Sequence, residues 1–265
     1  MIKVYGQEVD IGNFPDGTML LHLTPVATSA KIEWFYENDR ELVALIYLVN
    51  HLRANGVRSI DLFMPYVPNA RQDRVKTTSD VFTLKYFAKI INSLDFNKVI
   101  VLDPHSNVSE AVIERIQILS PKNTILKVID KITEFESETP LLFYPDEGAS
   151  KRYSGMISQP YAFGIKRRDW ETGKIQSLDV IGDIEDIKGK SVLIVDDICS
   201  KGGTFYYSAK KLKELGAGDI FLYISHCEKS ILDGELINSG LIKKIFTTNS
   251  ICNFEHELIT VMNIV

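Results

Sequence analysis

Cysteine is scarce in this chain. There are three in 265 residues, Cys199, Cys227 and Cys252, widely spaced and with no CxxC pair. An odd number at such spacing argues against a disulfide framework or a cysteine zinc site, and a reducing cytosol is the expected home. No apolar run approaches the ~18 residues of a membrane span, and the opening MIKVYGQEVD has no apolar signal region. A soluble, cytoplasmic protein with no membrane partner is expected. Positive charge is also short: 30 Lys and Arg stand against 35 Asp and Glu, a formal net charge of -5. Nucleic acid, which wants a basic face, is not an expected partner. No GxxxxGK[ST] occurs, so a Walker phosphate loop is excluded.

What is present suits a globular protein with a substantial core, since 45% of residues are hydrophobic and 25% charged. Short apolar, β-branched runs recur at 59–65, 98–104, 139–146, 190–197, 219–225 and 243–249. Between several of them lie stretches at helical spacing, notably 41–56, 82–94 and 204–216. Near-continuous apolar strands alternating with helices predict mostly parallel sheets covered on both faces. The charged segment 120–140, with a proline near each end, breaks the rhythm, and the domain boundary is expected there. The reading is two similar α/β domains, 1–130 and 131–265.

The stretch KSVLIVDDICSKGGTF, Lys190 to Phe205, carries the most chemistry. It predicts a buried strand, a turn, and a helix ending at Gly216, a residue type suited to a C-terminal cap. Amides at the start of that helix can bind an anion, and Gly202 and Gly203 permit close approach and positive φ. Asp196 and Asp197 would repel a phosphate, so they must face something else. Carboxylates accept from the hydroxyls of a sugar diol or from a hydrated magnesium ion. A ribose phosphate satisfies both halves of the motif, with its phosphate on the turn and its hydroxyls on the acids.

This stretch resembles the PRPP loop shared by type I phosphoribosyltransferases and ribose-phosphate pyrophosphokinases (PRPP synthetases), and the rest of the chain is similar to the second family in order and spacing. PYVPNARQDR (65–74) resembles its ATP segment, which implies nucleotide contacts from Arg71, Gln72 and Asp73. NFPDGTM (13–19) is similar to the loop that reaches an adenine across a subunit interface, with Phe14 stacking and Asp16 accepting. VLDPHS (101–106) and PDEGASKR (145–152) imply magnesium ligands at His105, also counted with the ATP site, and at Asp146. GIKRRDWETG (164–173) resembles the flexible Lys-Arg-Arg loop, making Lys166 and Arg168 the catalytic cations. The ribose-phosphate set is then Asp196, Asp197, Ser200, Lys201, Gly202, Gly203 and Thr204. The tail motif TTNSI (247–251) follows as well.

The resemblance implies two type I phosphoribosyltransferase-like domains and transfer of a diphosphoryl group from MgATP to the 1-hydroxyl of ribose 5-phosphate, releasing AMP. Mg2+ and a homo-oligomer, dimer or hexamer, come with it. Four departures are visible. Thr18 replaces a glutamate, SKGGT (200–204) replaces DTAGT and adds Lys201, and Pro104 sits inside the Asp-x-His strand end. The flanks beyond the first and last motifs are also short, as in compact phage-encoded members, and this weighs against the family's regulatory site and hexamer. The changed charge at Lys201 keeps ADP-ribose as an alternative acceptor. A phosphoribosyltransferase and a non-catalytic regulatory relative are the further alternatives.

Overall fold

The computed structural model describes residues 1–168, 175–182 and 184–264, with the side chains of 166–168 and 175–178 outside the described set. It forms two compact units, Met1–Ser120 and Pro121–Val265.

The first unit opens with β1 (Ile2–Val4), β2 (Gln7–Glu8) and a separate hairpin, β3 (Ile11–Asn13) and β4 (Met19–Leu21). Then come β5 (Ser29–Trp34), α1 (Arg40–Ala54), β6 (Ser59–Phe63), α2 (Thr83–Ser93), β7 (Lys98–Leu102), the short α3 (Val108–Val112) and β8 (Ile116–Leu119). The main sheet has the order β2-β1-β5-β6-β7-β8, with β5 through β8 parallel and the first pairings antiparallel. Helix α1 forms because Ala44, Leu45, Leu48, Val49 and Leu52 recur on one face, and that face is buried. These residues pack with Ile32, Trp34, Ile60 and Leu62 of the strands into one core.

The second unit runs α4 (Lys122–Glu136), β9 (Leu141–Tyr144), α5 (Glu147–Tyr153), β10 (Tyr161–Arg168), β11 (Ile175–Gly182), β12 (Val192–Cys199), α6 (Gly203–Glu214), β13 (Ile220–Cys227), α7 (Glu235–Asn238), β14 (Lys244–Thr248) and β15 (Ile259–Met262). Its sheet has the order β11-β10-β9-β12-β13-β14-β15, parallel except for the β10–β11 pair. Strand β12 sits inside this sheet and buries both faces. Val192 and Ile194 join one core, and Leu193 and Val195 join the core on the opposite face.

Two features differ from the sequence reading. The boundary at 130/131 would cut α4, whereas the units divide at Ser120/Pro121. The segment read there as a break is a 15-residue helix with Ile125, Val128, Ile129 and Ile132 buried against β9 and β12. Its charges lie on the other face, which is why an amphipathic helix resembles a polar connector in composition. The Lys-Arg-Arg segment, expected in a loop, is strand as far as Arg168, paired to β11 with a register shift between Arg167 and Arg168. No helix among the described residues is long and apolar enough to cross a membrane.

Candidate active site

In the first unit the functional candidates gather beyond the carboxyl ends of β6 and β7, where parallel α/β sheets hold ligands. Arg71, Gln72, Asp73, Arg74, Lys76, Asp80 and His105 line a hollow of about 360 Å³. Arg71, Gln72 and His105 are exposed, and Asp73 is buried. Asp73 faces inward to its own protein. One oxygen accepts from Arg74 Nε at 2.6 Å, and the other accepts from Arg74 Nη2 at 2.8 Å and from Ser106 Oγ at 2.5 Å. The Arg74 guanidinium first, and the Ser106 hydroxyl after it, outweigh the opposing effect of burial and bring the Asp73 pKa down to about 2. Asp73 therefore ties the 71–74 turn to the residue after His105, a structural use that the sequence reading, which assigned it to ATP, did not anticipate. Its partner Arg74, with Lys76, adds cations to the hollow that were not singled out in the sequence. Gln72 is also partly engaged, its side-chain carbonyl accepting from Thr83 Oγ1 at 3.1 Å at the start of α2.

The hairpin tip between β3 and β4 carries Phe14, 49% exposed, and Asp16. Asp16 Oδ1 accepts from the Thr18 hydroxyl at 2.7 Å and from the Thr18 amide at 2.9 Å. The hydroxyl, first among these, lowers the Asp16 pKa. The threonine that departs from the family pattern thus closes the turn onto the aspartate beside it.

In the second unit Asp146 caps α5, its side chain accepting from Ala149 N at 3.0 Å. Asp196 and Asp197 lie within β12, as the apolar run 190–197 predicts, and Ile198 and Cys199 continue the strand and pair along β13. Asp197 is buried and accepts from Arg152 Nη1 at 3.2 Å. Arg152 comes from the last turn of α5, the cationic end of a segment in which the sequence reading singled out only Asp146. Asp196 keeps some exposed surface, and its Oδ1 accepts from the Asp197 amide at 2.9 Å. Burial first, then the charges of Asp197 and Asp146, push its pKa well above the ordinary aspartate value. The chain then turns through Ser200 and the exposed Lys201 to Gly202, whose φ of +76° opens α6. A left-handed residue is needed to aim the first amides of the helix outward, and glycine takes that conformation without strain. Gly203 and Thr204 begin the helix. The side chains of Lys166 and Arg168 lie outside the described residues.

Among the described residues no three His, Cys, Asp or Glu side chains group closely enough to form a metal cage.

A family model described as the phosphoribosyl synthetase-associated domain matches residues 171–263. The chain is 26% identical over 259 residues to a ribose-phosphate pyrophosphokinase of Saccharolobus solfataricus, covering 94% of this chain and 86% of that protein. It is 30% identical over 224 residues to one of Bradyrhizobium diazoefficiens, covering 82% and 68%. The crystal structure of phosphoribosylpyrophosphate synthetase from Mycobacterium smegmatis shares the fold, with a TM-score of 0.77 at 18% identity over 97% of this chain and 86% of that one. On its sequence likeness along most of its length, the chain belongs to the ribose-phosphate pyrophosphokinase family.

Proposed function

We propose that this chain transfers the diphosphoryl group of ATP to the 1-hydroxyl of ribose 5-phosphate, yielding PRPP and AMP. The observation that carries the reading is the β12–α6 junction: two acids on an inner parallel strand, then a left-handed glycine opening a helix. The acceptor hydroxyl attacks the β-phosphorus, the bond to the oxygen bridging the α-phosphorus breaks, and the hydroxyl proton is lost to solvent or base. Little covalent work falls to the protein, so positioning and charge neutralisation dominate. Asp196 and Asp197 accept from the ribose hydroxyls, and the amides of Gly202, Gly203 and Thr204, with Ser200 and Thr204 hydroxyls, hold the 5-phosphate. Arg71, Gln72, Arg74 and His105 take the nucleotide, and Lys166 and Arg168 offset charge on the transferring phosphates. Magnesium, when bound, would neutralise phosphate charge, with His105 a proposed ligand in the first unit and, separately, Asp146 one in the second.

Phe14 and Asp16, on their exposed tip, are proposed to serve the adenine of a neighbouring copy, so the working unit is at least a dimer. Sedimentation of a fully active monomer would remove that part. AMP release from ATP, measured in magnesium with and without ribose 5-phosphate, tests the activity. Stoichiometric AMP and PRPP only when the acceptor is present is the expected result. Preference for ADP-ribose would replace the acceptor, consumption of PRPP with a free base would make the chain a transferase, and no turnover with any of these would make it a non-catalytic relative.

A further inference from the structure

The mechanism leaves unused the segment packed behind the phosphate loop, Glu228 to Leu236. Its first amide, Glu228 N, donates to Cys199 O at 2.9 Å, anchoring the segment where β12 ends. Two residues of the loop then press against it. A Cβ at Gly234 would stand 1.9 Å from the Lys201 carbonyl oxygen, 2.8 Å from its carbon and 3.2 Å from its Cα. A Cβ at Gly202 would stand 2.9 Å from Leu236 Cδ2 and 3.0 Å from its Cβ. Gly234 itself has φ -92° and ψ 161°, which any residue adopts. Glycine is required there by space alone.

We propose that Gly234 is a positioning residue for the acceptor's phosphate, and the proposal rests on the ribose-phosphate reading of the loop. The carbonyl of Lys201 and the amide of Gly202 belong to one rigid, planar peptide unit. Whatever fixes the height of that carbonyl also fixes the direction of the Gly202 N–H, the first donor of the phosphate cradle. The segment behind sets it by contact. A methyl at Gly234 forces the carbonyl to retreat from 1.9 Å toward the 3.4 Å of an ordinary contact. The far end of the affected group is backbone, so no flexible side chain absorbs the shift. The peptide must tilt, and the amide turns away from the phosphate. Because ATP is assigned to other residues, the effect falls on the acceptor.

Gly234→Ala is expected to raise the KM for ribose 5-phosphate about tenfold or more, the scale on which an ångström of misplacement acts, while the KM for MgATP stays within about twofold. Titration with ribose 5-phosphate by calorimetry, which needs no turnover, should show the same loss. It keeps this inference separate from the activity: an inactive wild-type chain that still binds ribose 5-phosphate leaves the brace testable. Gly240→Ala is the control, since Gly240 has φ +66° with nothing within 4 Å and costs stability without touching the loop. Should Gly234→Ala fail to fold, Leu236→Val, which loosens the contact under Gly202, should weaken acceptor binding in the same selective way. Acceptor affinity unchanged in either folded variant, both KM values rising together, or no binding of ribose 5-phosphate by the wild-type chain would overturn the proposal.

Discussion

Each unit sets an aspartate beside its candidate ligand site, and the two are treated in opposite ways. Asp73 is given a guanidinium and a hydroxyl, and its pKa falls to about 2. Asp196 accepts from a single neighbouring amide, and burial with the charges of two further carboxylates outweighs it, so its pKa rises. A buried acid with its donors supplied locally is structural, and it holds other groups in place. One whose neighbours make its charge costly is held ready for donors or a cation that arrive with a ligand. The same residue type in similar folds is thus a brace in one unit and a proposed binding group in the other.

The sharpest way to break this contrast is Asp196→Asn. Turnover should fall by about 10²–10³-fold, as for loss of one preorganised polar contact to the reacting groups, while the unliganded protein gains thermal stability. The sign follows from the raised pKa. A raised carboxyl pKa favours the folded state below the ordinary value of 3.8 and loses that advantage as pH climbs through the folded pKa. The melting-temperature gain of the Asn variant should therefore be present at pH 7 and vanish below about pH 4. A variant less stable than the parent at pH 7 would end the argument that Asp196 is strained.

Arg152→Ala probes the intermediate case, Asp197, whose acid does have a cationic partner. Acceptor KM should rise about tenfold, with a loss of about 1–3 kcal/mol, below the range for a fully buried pair. Arg152→Lys should recover part of the stability and less of the affinity, since a point charge does not replace the guanidinium fork. Equal loss of affinity for acceptor and MgATP would count against a role at the ribose.

Asp73→Asn should do the reverse of Asp196→Asn, costing stability with a smaller effect on turnover. Losing a charged acceptor for the buried Ser106 hydroxyl is worth about 1–3 kcal/mol, and the exposed Arg74 adds little. Here the depressed pKa stabilises above 3.8, and that contribution drains away as pH falls toward about 2. Parent and variant melting curves should converge in that window. The smallest effect is expected from Thr18→Val. With the Asp16 turn loosened, the KM for MgATP should rise by only about two- to threefold, of the order of one exposed hydrogen bond. A larger rise would mean that Thr18 meets the nucleotide itself.

Much of this was legible in the residues. The DD…GGT order placed both acids and the left-handed glycine because each needs a particular residue type at a fixed distance from a buried strand. The strands at 59–63, 98–102 and 244–248 announced themselves by β-branched runs. What stayed hidden depends on partners far along the chain. Asp73 looks like a ligand until Ser106, 33 residues on, takes its second oxygen. Arg152 carries no signal of its own until α5 lays it on Asp197. Gly234 carries no motif, and only the approach of Lys201 reveals why it must be small. Helix α4 was misread for a different reason: its polar face dominates the composition while four apolar residues at helical spacing do the packing.

The division at Ser120 also bears on how the chain comes into being. Every strand of the first sheet lies before that residue and every strand of the second after it, so neither sheet waits for a distant segment to return. At about 5–20 residues per second on the ribosome, the 145 residues of the second unit take roughly 7–30 s to emerge. The first unit can therefore collapse and settle as a nascent domain while its successor is still being made. Kinetic traps that mix strands of the two sheets are correspondingly disfavoured, and refolding from denaturant, where both halves start at once, should be the less efficient route.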